Sequence, residues 1–285
     1  MSTLQLRPRA PNRGARARRR LLAATALAAL AYTPDAQAQT DYYNTDAGRP
    51  VRIEDAYPTE RYAFELQLAP LRAERSGGGG YAWGIEPEIA YGILPRTHIE
   101  LGVPLVALDA PGVPGRSGAA GIELSMLHNL NTETAGLPAF AIAAHALLPA
   151  GAFGPDRAIP SVAALVTRTF SRVRVHVNGQ YTIADVDDAG SALELSQWLA
   201  GVALDRTLPL RSMLVTAEAY AEEPLHDDEP IAWTIGAGVR AQRSPRLAVD
   251  AGLGRRVTGP DTGWYVTAGA AYAFAIRGLM PGGGR

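Results

Sequence analysis

Cysteine is absent from the 285 residues, which excludes a disulfide framework, a thiol nucleophile and a thiolate metal site. Lysine is absent as well, so all 27 basic residues are arginine. Charged residues make up only 19% of the chain, below the roughly one quarter usual for soluble domains, while hydrophobic residues reach 47%. Beyond residue 38 there is no apolar run near the roughly 18 residues that a membrane-spanning helix requires, so helical spans are excluded. The five histidines (His98, His128, His145, His176 and His226) form no spacing of the H-E-x-x-H kind, and no serine lies in a nucleophile motif. His226 with Asp227, Asp228 and Glu229 could hold a divalent cation in an outer loop, but an acidic run of this kind reads first as a solvated loop. No cofactor, no metal and no catalytic set is therefore expected.

Residues 1–38 carry the pattern of an export signal. Seven arginines (Arg7, Arg9, Arg13, Arg16, Arg18, Arg19 and Arg20) precede the apolar run 21–31, and Ala36-Gln37-Ala38 offers small residues at cleavage spacing. The apolar run is too short to anchor the chain across a bilayer, and a mature start at Gln39 is expected. Without the signal the chain keeps 20 basic and 27 acidic residues, a net charge of −7. A nucleic-acid partner needs a basic face and is not expected.

The mature sequence alternates. In Arg172-Val173-Arg174-Val175-His176-Val177-Asn178-Gly179-Gln180-Tyr181-Thr182, Val173, Val175, Val177 and Tyr181 share one face of an extended strand, and Arg174, His176, Asn178 and Gln180 share the other. Its length matches a tilted strand crossing a bilayer, about 9 to 11 residues. Similar segments at 62–68, 83–93, 98–105, 119–130, 139–148, 161–170, 195–204, 212–222, 232–242, 247–254 and 264–274 bring the total to twelve. Two of them are irregular. Pro87 cannot donate to a ladder, and in 161–170 Val162, Ala164 and Val166 compete with Ala163 and Leu165 for the apolar face.

Five shorter connections (94–96, 131–138, around Ser171, 205–211 and 244–245) alternate with six longer ones rich in Gly, Pro or Asp. That asymmetry predicts an all-β fold: an antiparallel transmembrane β-barrel of about twelve strands in the outer membrane, with short periplasmic turns and longer extracellular loops. Tyr62, Phe64, Tyr91, Phe140, Phe170, Tyr272 and Phe274 fall toward the periplasmic rim, and Trp83, Tyr181, Trp198, Trp233 and Trp264 toward the outer rim, as interfacial girdles would. The barrel is expected over 61–274. Residues 39–60 show no sustained alternation and form an arm, either periplasmic or folded into the barrel as a plug, and 275–285 is a C-terminal extension. The strand ending in Phe274 resembles the aromatic-terminated signal read by the barrel-assembly machinery, a partner expected during biogenesis alongside outer-membrane lipid.

Several short motifs occur in a familiar order. Pro138-Ala139-Phe140-Ala141-Ile142 is followed by Leu148-Pro149-Ala150-Gly151, then by the Val175–Tyr181 strand and by Ala217-Glu218-Ala219-Tyr220. Gly238-Val239-Arg240 and Val249-Asp250-Ala251-Gly252 close the series. This order resembles the outer-membrane protein family named for the MetA-pathway of phenol degradation. Ala150 stands where that family has Thr, Gly179 precedes its variable position, and Ala241 replaces a Tyr. The resemblance implies a transporter-like barrel, and the family name implies small hydrophobic or aromatic solutes.

With one face against lipid, the polar residues of the other line the lumen. On the first half of the wall these are Glu65, Glu86, Glu88, Glu100 and Glu123. On the second half they are Arg174, His176, Asn178, Gln180, Glu218, Arg240 and Asp250. They read either as an acidic channel wall with Arg174 and Arg240 as counter-charges, or as a hydrogen-bonded interior that only holds the wall together. A channel or transporter for small molecules is thus expected. The alternatives are a lipid-modifying barrel enzyme, for which His98 and His176 would be the inward candidates, and a closed structural barrel.

Overall fold

The computed structural model describes residues 44–109, 112, 114–184, 195–225, 229–259 and 262–280. The expected export segment, its cleavage site and the mature start at Gln39 lie outside the described residues, as do His226, Asp227 and Asp228.

Twelve strands follow one another. They are β1 (Ala63–Ser76), β2 (Tyr81–Leu94), β3 (Thr97–Gly102 continued by Leu105–Asp109) and β4 (Arg116–Ala119 continued by Ile122–Asn131). Next come β5 (Ala139–Leu148), β6 (Ile159–Phe170), β7 (Val173–Thr182) and β8 (Ser196–Leu208). The wall ends with β9 (Met213–Pro224), β10 (Ala232–Ser244), β11 (Leu247–Arg256) and β12 (Gly263–Ala275). Each strand pairs antiparallel with its neighbours in sequence, and β1 pairs with β12 from Ala63↔Ala275 to Ser76↔Gly263. This closure leaves no strand edge to be buried unpaired in lipid. At one end the turns are tight, with Arg96, Ser171 and Ser212 at positive φ, whereas the opposite end carries longer linkers such as 149–158 beside the short turn 77–80, which stands in place of the longer loop expected there.

The awkward proline marks a flaw that crosses several strands. Opposite Pro87, β1 bulges between Leu68 and Leu71. On the other side β3 breaks at Val103-Pro104, where Val103 N–H donates to the Pro87 carbonyl at 3.2 Å. One strand further, β4 is interrupted at Ala120-Gly121, and Ala120 N–H donates to the Pro104 carbonyl at 2.8 Å. The missing proline donors are thus absorbed by bulges and breaks rather than left as unpaired ladder groups.

Alternation sets the two faces. On β7, Val173, Val177 and Tyr181 are 37%, 47% and 51% exposed, whereas His176 and Asn178 are buried inside. Trp83, Trp233 and Trp264 stand exposed toward the loop-bearing end. At the other end Tyr91, Phe64 and Phe274 stack across three strands, with centroids 4.3 and 5.2 Å apart. Several boundaries differ from expectation, among them the end of β3, which runs on to Asp109, and the start of β4 at Arg116. β1 continues to Ser76, and β8 continues to Leu208, which makes Asp205 a wall residue instead of part of a turn. The ambiguity over 161–170 has a physical cause. Leu165 does point inward, into a buried apolar cluster with Leu127, Ala139, Ala141, Ala143 and Ala56 of the arm.

Candidate functional site

The arm crosses the inside of the wall. Val51-Arg52-Ile53-Glu54-Asp55 alternates over a few residues, and Val51, Ile53 and Asp55 are buried while Arg52 is exposed. A chain in irregular conformation at membrane depth must find partners for its backbone groups, and the wall supplies them. Glu218 Oε2 accepts the N–H groups of Arg52 and Ile53 at 2.7 and 2.9 Å. Asn178 pairs with Glu54 both ways, accepting its N–H at 2.8 Å and donating to its carbonyl at 3.0 Å. Thr167 Oγ1 accepts from Ala56, His98 Nδ1 accepts from Thr59, and Asn129 donates to the Ala56 carbonyl. Space is made by glycine. A side chain on Gly238 or Gly252 would strike Pro50, and one on Gly201 would strike Ile53.

The arm begins in an ion cluster. Arg240 donates to the Asn44 carbonyl at 2.7 Å and to Asp46 at 2.8 Å. Arg49, fully buried, pairs with Asp46 and reaches Glu65 at 3.3 Å. Burial alone would raise the Asp46 carboxyl, but the Arg49 and Arg240 guanidinium groups outweigh it and hold that carboxyl at about 2. Asp250 lies directly across the ladder from Arg240 and makes no hydrogen bond of its own among the described residues.

A second cluster joins three adjacent strands. Thr167 Oγ1 lies 2.9 Å from His176 Nδ1, and His176 Nε2 lies 2.7 Å from Asp205 Oδ2. Arg174 grips the same carboxylate from Nε at 3.0 Å and from a terminal nitrogen at 2.7 Å. Hydroxyl, imidazole and carboxylate in series is the order of a nucleophile, base and orienting group. Here Thr167 and His176 are both fully buried, and the hydroxyl is already capped by the Ala56 N–H. Among the described residues the series thus ties the arm to the wall, its hydroxyl enclosed beneath Ala56.

The opposite wall is acidic and less committed. Glu86, Glu88, Glu100 and Glu123 come from β2, β3 and β4, where Glu88 pairs with Gly102 and Gly102 with Glu123 across the ladder. Ser125 donates to Glu100 at 3.0 Å, and His145 approaches Glu123 at 3.6 Å. None of these four glutamates bonds to the backbone of the arm among the described residues. Burial pushes the Glu54 carboxyl of the arm up to about 8, against the pull of His145 and with added repulsion from Glu100, Asp46 and Asp55. Above this level the loop-bearing mouth holds a cavity of about 260 Å³. It is lined inside by Arg72, Glu74, Thr234, Arg256 and Tyr265 and bordered by Arg75, Tyr81 and Trp264. Arg72 lies 3.8 Å from the centre of the Tyr265 ring and pairs with Glu74.

The predicted polar residues thus separate into groups. Glu65, Arg240 and Asp250 meet at the start of the arm, and Asn178 and Glu218 hold its middle. Arg174 and His176 meet on Asp205, Gln180 donates to Ser161 at 3.3 Å, and the four glutamates of β2–β4 stand apart from these. Reading the sequence missed Thr167, Asp205, Asn129 and the arm residues themselves. The one available signal was the short alternation from Val51 to Asp55.

No family model matches the chain, and no curated protein matches it by sequence. Solved structures do. The COG4313 outer membrane channel from Pseudomonas putida F1 is 11% identical, with 81% of this chain and 100% of that chain covered and a TM-score of 0.53. The NanC porin is 6% identical over 73% of this chain and 98% of its own, with a TM-score of 0.48. The outer membrane phospholipase A from Escherichia coli is 9% identical over 81% and 95%, with a TM-score of 0.41. The first of these likenesses shows the fold, a closed twelve-stranded antiparallel barrel of the outer-membrane kind.

Proposed function

We propose that the protein is an outer-membrane channel in which small solutes pass between the seated arm and the carboxylate-lined inner face of β2–β4. The observation that carries this reading is the exposure of Arg52 inside the barrel. Its neighbours Val51 and Ile53 are only 2% and 0% exposed against the wall, so there is open volume on the free side of the arm and not on the seated side. Glu86, Glu88, Glu100 and Glu123 face that volume and favour cations and small neutral solutes over anions. The resemblance in motif order adds hydrophobic or aromatic compounds to the neutral class. Export through the cleavable signal and insertion by the barrel-assembly machinery complete the proposal. A lipid-hydrolysing activity gains no support from the Thr167–His176–Asp205 series, because the arm covers it.

Planar-bilayer recording with refolded protein tests the proposal. Under a KCl gradient the reversal potential should have the sign of cation preference. The variant with all four glutamates changed to Gln should move it close to zero without loss of conductance. Absence of any current, or a reversal potential indifferent to the four substitutions, would overturn it.

A further inference from the structure

Inside the barrel, the arginines of the wall are matched with carboxylates, Arg240 with Asp46, Arg72 with Glu74, Arg174 with Asp205 and Arg256 with Glu222, and Arg49 of the arm shares Asp46, while Arg52 of the arm stands exposed in the lumen. Arg75 and Arg255 are different. Both are exposed, and neither makes an ion pair among the described residues. They are also neighbours. In the ladder Arg255 stands opposite Trp264, and Trp264 stands opposite Arg75, so the three share one level and one face of three adjacent strands. Tyr81 extends the row on the far side of Arg75, and the Arg75 guanidinium lies 5.7 Å from its ring centre.

The face is the outer one. Trp264 and Tyr81 are 45% and 41% exposed, and the row lies next to the longer loops, at the level of the outer aromatic girdle. Two residues deeper on the same strands, and so on the same face, the row becomes Leu253, Val266, Ala73 and Trp83. Leu253 is 65% exposed and Trp83 51%. The surface therefore changes from two unpaired guanidinium groups to bare apolar side chains within one step of about 7 Å along the strands. The carboxylate at this level, Asp109, stands beyond Tyr81 and pairs with neither arginine. Strand spacing puts the backbones of Arg255 and Arg75 about 10 Å apart, with Trp264 between them.

From this juxtaposition we infer that the Arg75–Trp264–Arg255 row is a binding site for the phosphate of a phosphorylated glycolipid in the outer leaflet, whose acyl chains lie along the apolar row beneath. Guanidinium is the cation best shaped for phosphate, since its planar donors can engage two oxygens at once. A free anion would use the charges alone. Only a lipid uses the charges and the apolar row together, and this favours the lipid source.

The test uses full-length refolded protein in detergent micelles, with lipid retention measured by native mass spectrometry. The probes are bisphosphorylated lipid A, the same lipid after removal of its phosphates, and inorganic phosphate. Wild type should prefer the phosphorylated lipid by about ten-fold or more, the weight of one lost charge-assisted contact. Arg75→Gln with Arg255→Gln should abolish that preference while leaving the melting temperature unchanged. Arg243→Gln, an exposed arginine at the opposite end of the wall, should retain it. If the double variant refolds poorly, each single variant should weaken the preference by about ten-fold. The inference is overturned if the double variant keeps the preference, if wild type shows none, or if inorganic phosphate displaces the lipid at equal concentration.

Discussion

Glu218 and Glu86 are the same residue type on the inner wall of one barrel, yet the wall uses them in opposite ways. Glu218 is committed, accepting the N–H groups of Arg52 and Ile53 and the hydroxyl of Tyr265 at 3.2 Å. Glu86 has a buried carboxylate oxygen without a hydrogen-bond partner among the described residues. The same contrast extends to the two sides of the lumen. From β7 to β12 the wall is shaped for the arm, with glycine where Pro50 and Ile53 press and polar atoms where the backbone of the arm needs them. On β3 and β4 the arm is met by His98 and Asn129 near the tight turns, and beyond them, across β2, β3 and β4, the ladder is broken by prolines and the side chains are crowded carboxylates. One side holds a segment of chain and the other faces what passes, so a polar lumen residue can be structural or functional depending on whether the arm has claimed it.

The largest effect expected from breaking this contrast lies on the seated side. Glu218→Leu removes the acceptor of two arm N–H groups, each such bond to a charged acceptor being worth about 1.5–3 kcal/mol. The arm should leave its seat, seen as increased single-channel conductance and protease cleavage near Arg52, whereas Glu218→Gln should retain most of the wild-type behaviour. Next comes the orientation of the wall. Val177→Arg places charge against lipid at a cost of about 2–4 kcal/mol and should lower folding yield in vesicles. Asn178→Asp, one residue away, keeps an acceptor for the Glu54 N–H but loses the donor to the Glu54 carbonyl, and it should lower the folding yield clearly less than Val177→Arg; equal losses for the two would reverse the assigned faces.

Smaller effects belong to the acidic side. Changing Glu86, Glu88, Glu100 and Glu123 to Gln relieves repulsion among crowded carboxylates, so the melting temperature should hold or rise while cation preference disappears. The smallest effect is pH dependence. With its carboxyl pushed up to about 8, Glu54 is mostly neutral at pH 7 and gains charge as pH rises through 8. Cation preference should therefore increase between pH 7 and 9. The raised value also means that proton loss disfavours the seated state, so arm docking should weaken over the window from the ordinary carboxylate range up to about 8. Glu54→Gln should remove both trends.

The twelve strands were legible because lipid on one side and polar atoms on the other impose a period of two. β7 shows this fully, with Val177 outward and His176 inward. Where the arm replaces water inside, the rule weakens. Leu165 and the small residues Ala139, Ala141 and Ala143 face inward because Ala56 and Tyr57 pack against them, and this blurred the alternation in β6. The seat of the arm could not be read from spacing, since Glu218 lies 166 residues from Arg52 and only the closed sheet brings them together. Arg240 and Asp250 were legible as polar wall residues, but their place opposite one another beside Asp46 depends on strand register. Asp205 was lost for a simpler reason, because β8 continues beyond the point where its alternation fades.

The absence of native cysteine allows a direct test of whether solutes pass a seated arm. Ile53→Cys with Ala203→Cys places one thiol on the arm and one on β8, where Ile53 and Ala203 share one buried apolar cluster. Oxidation then fixes the arm to the wall, and bilayer conductance can be recorded before and after reduction. Passage between the seated arm and the β2–β4 glutamates predicts the same conductance and cation preference in both states. Current that vanishes on oxidation and returns on reduction would contradict it, because the arm would then have to leave the lumen for the channel to open.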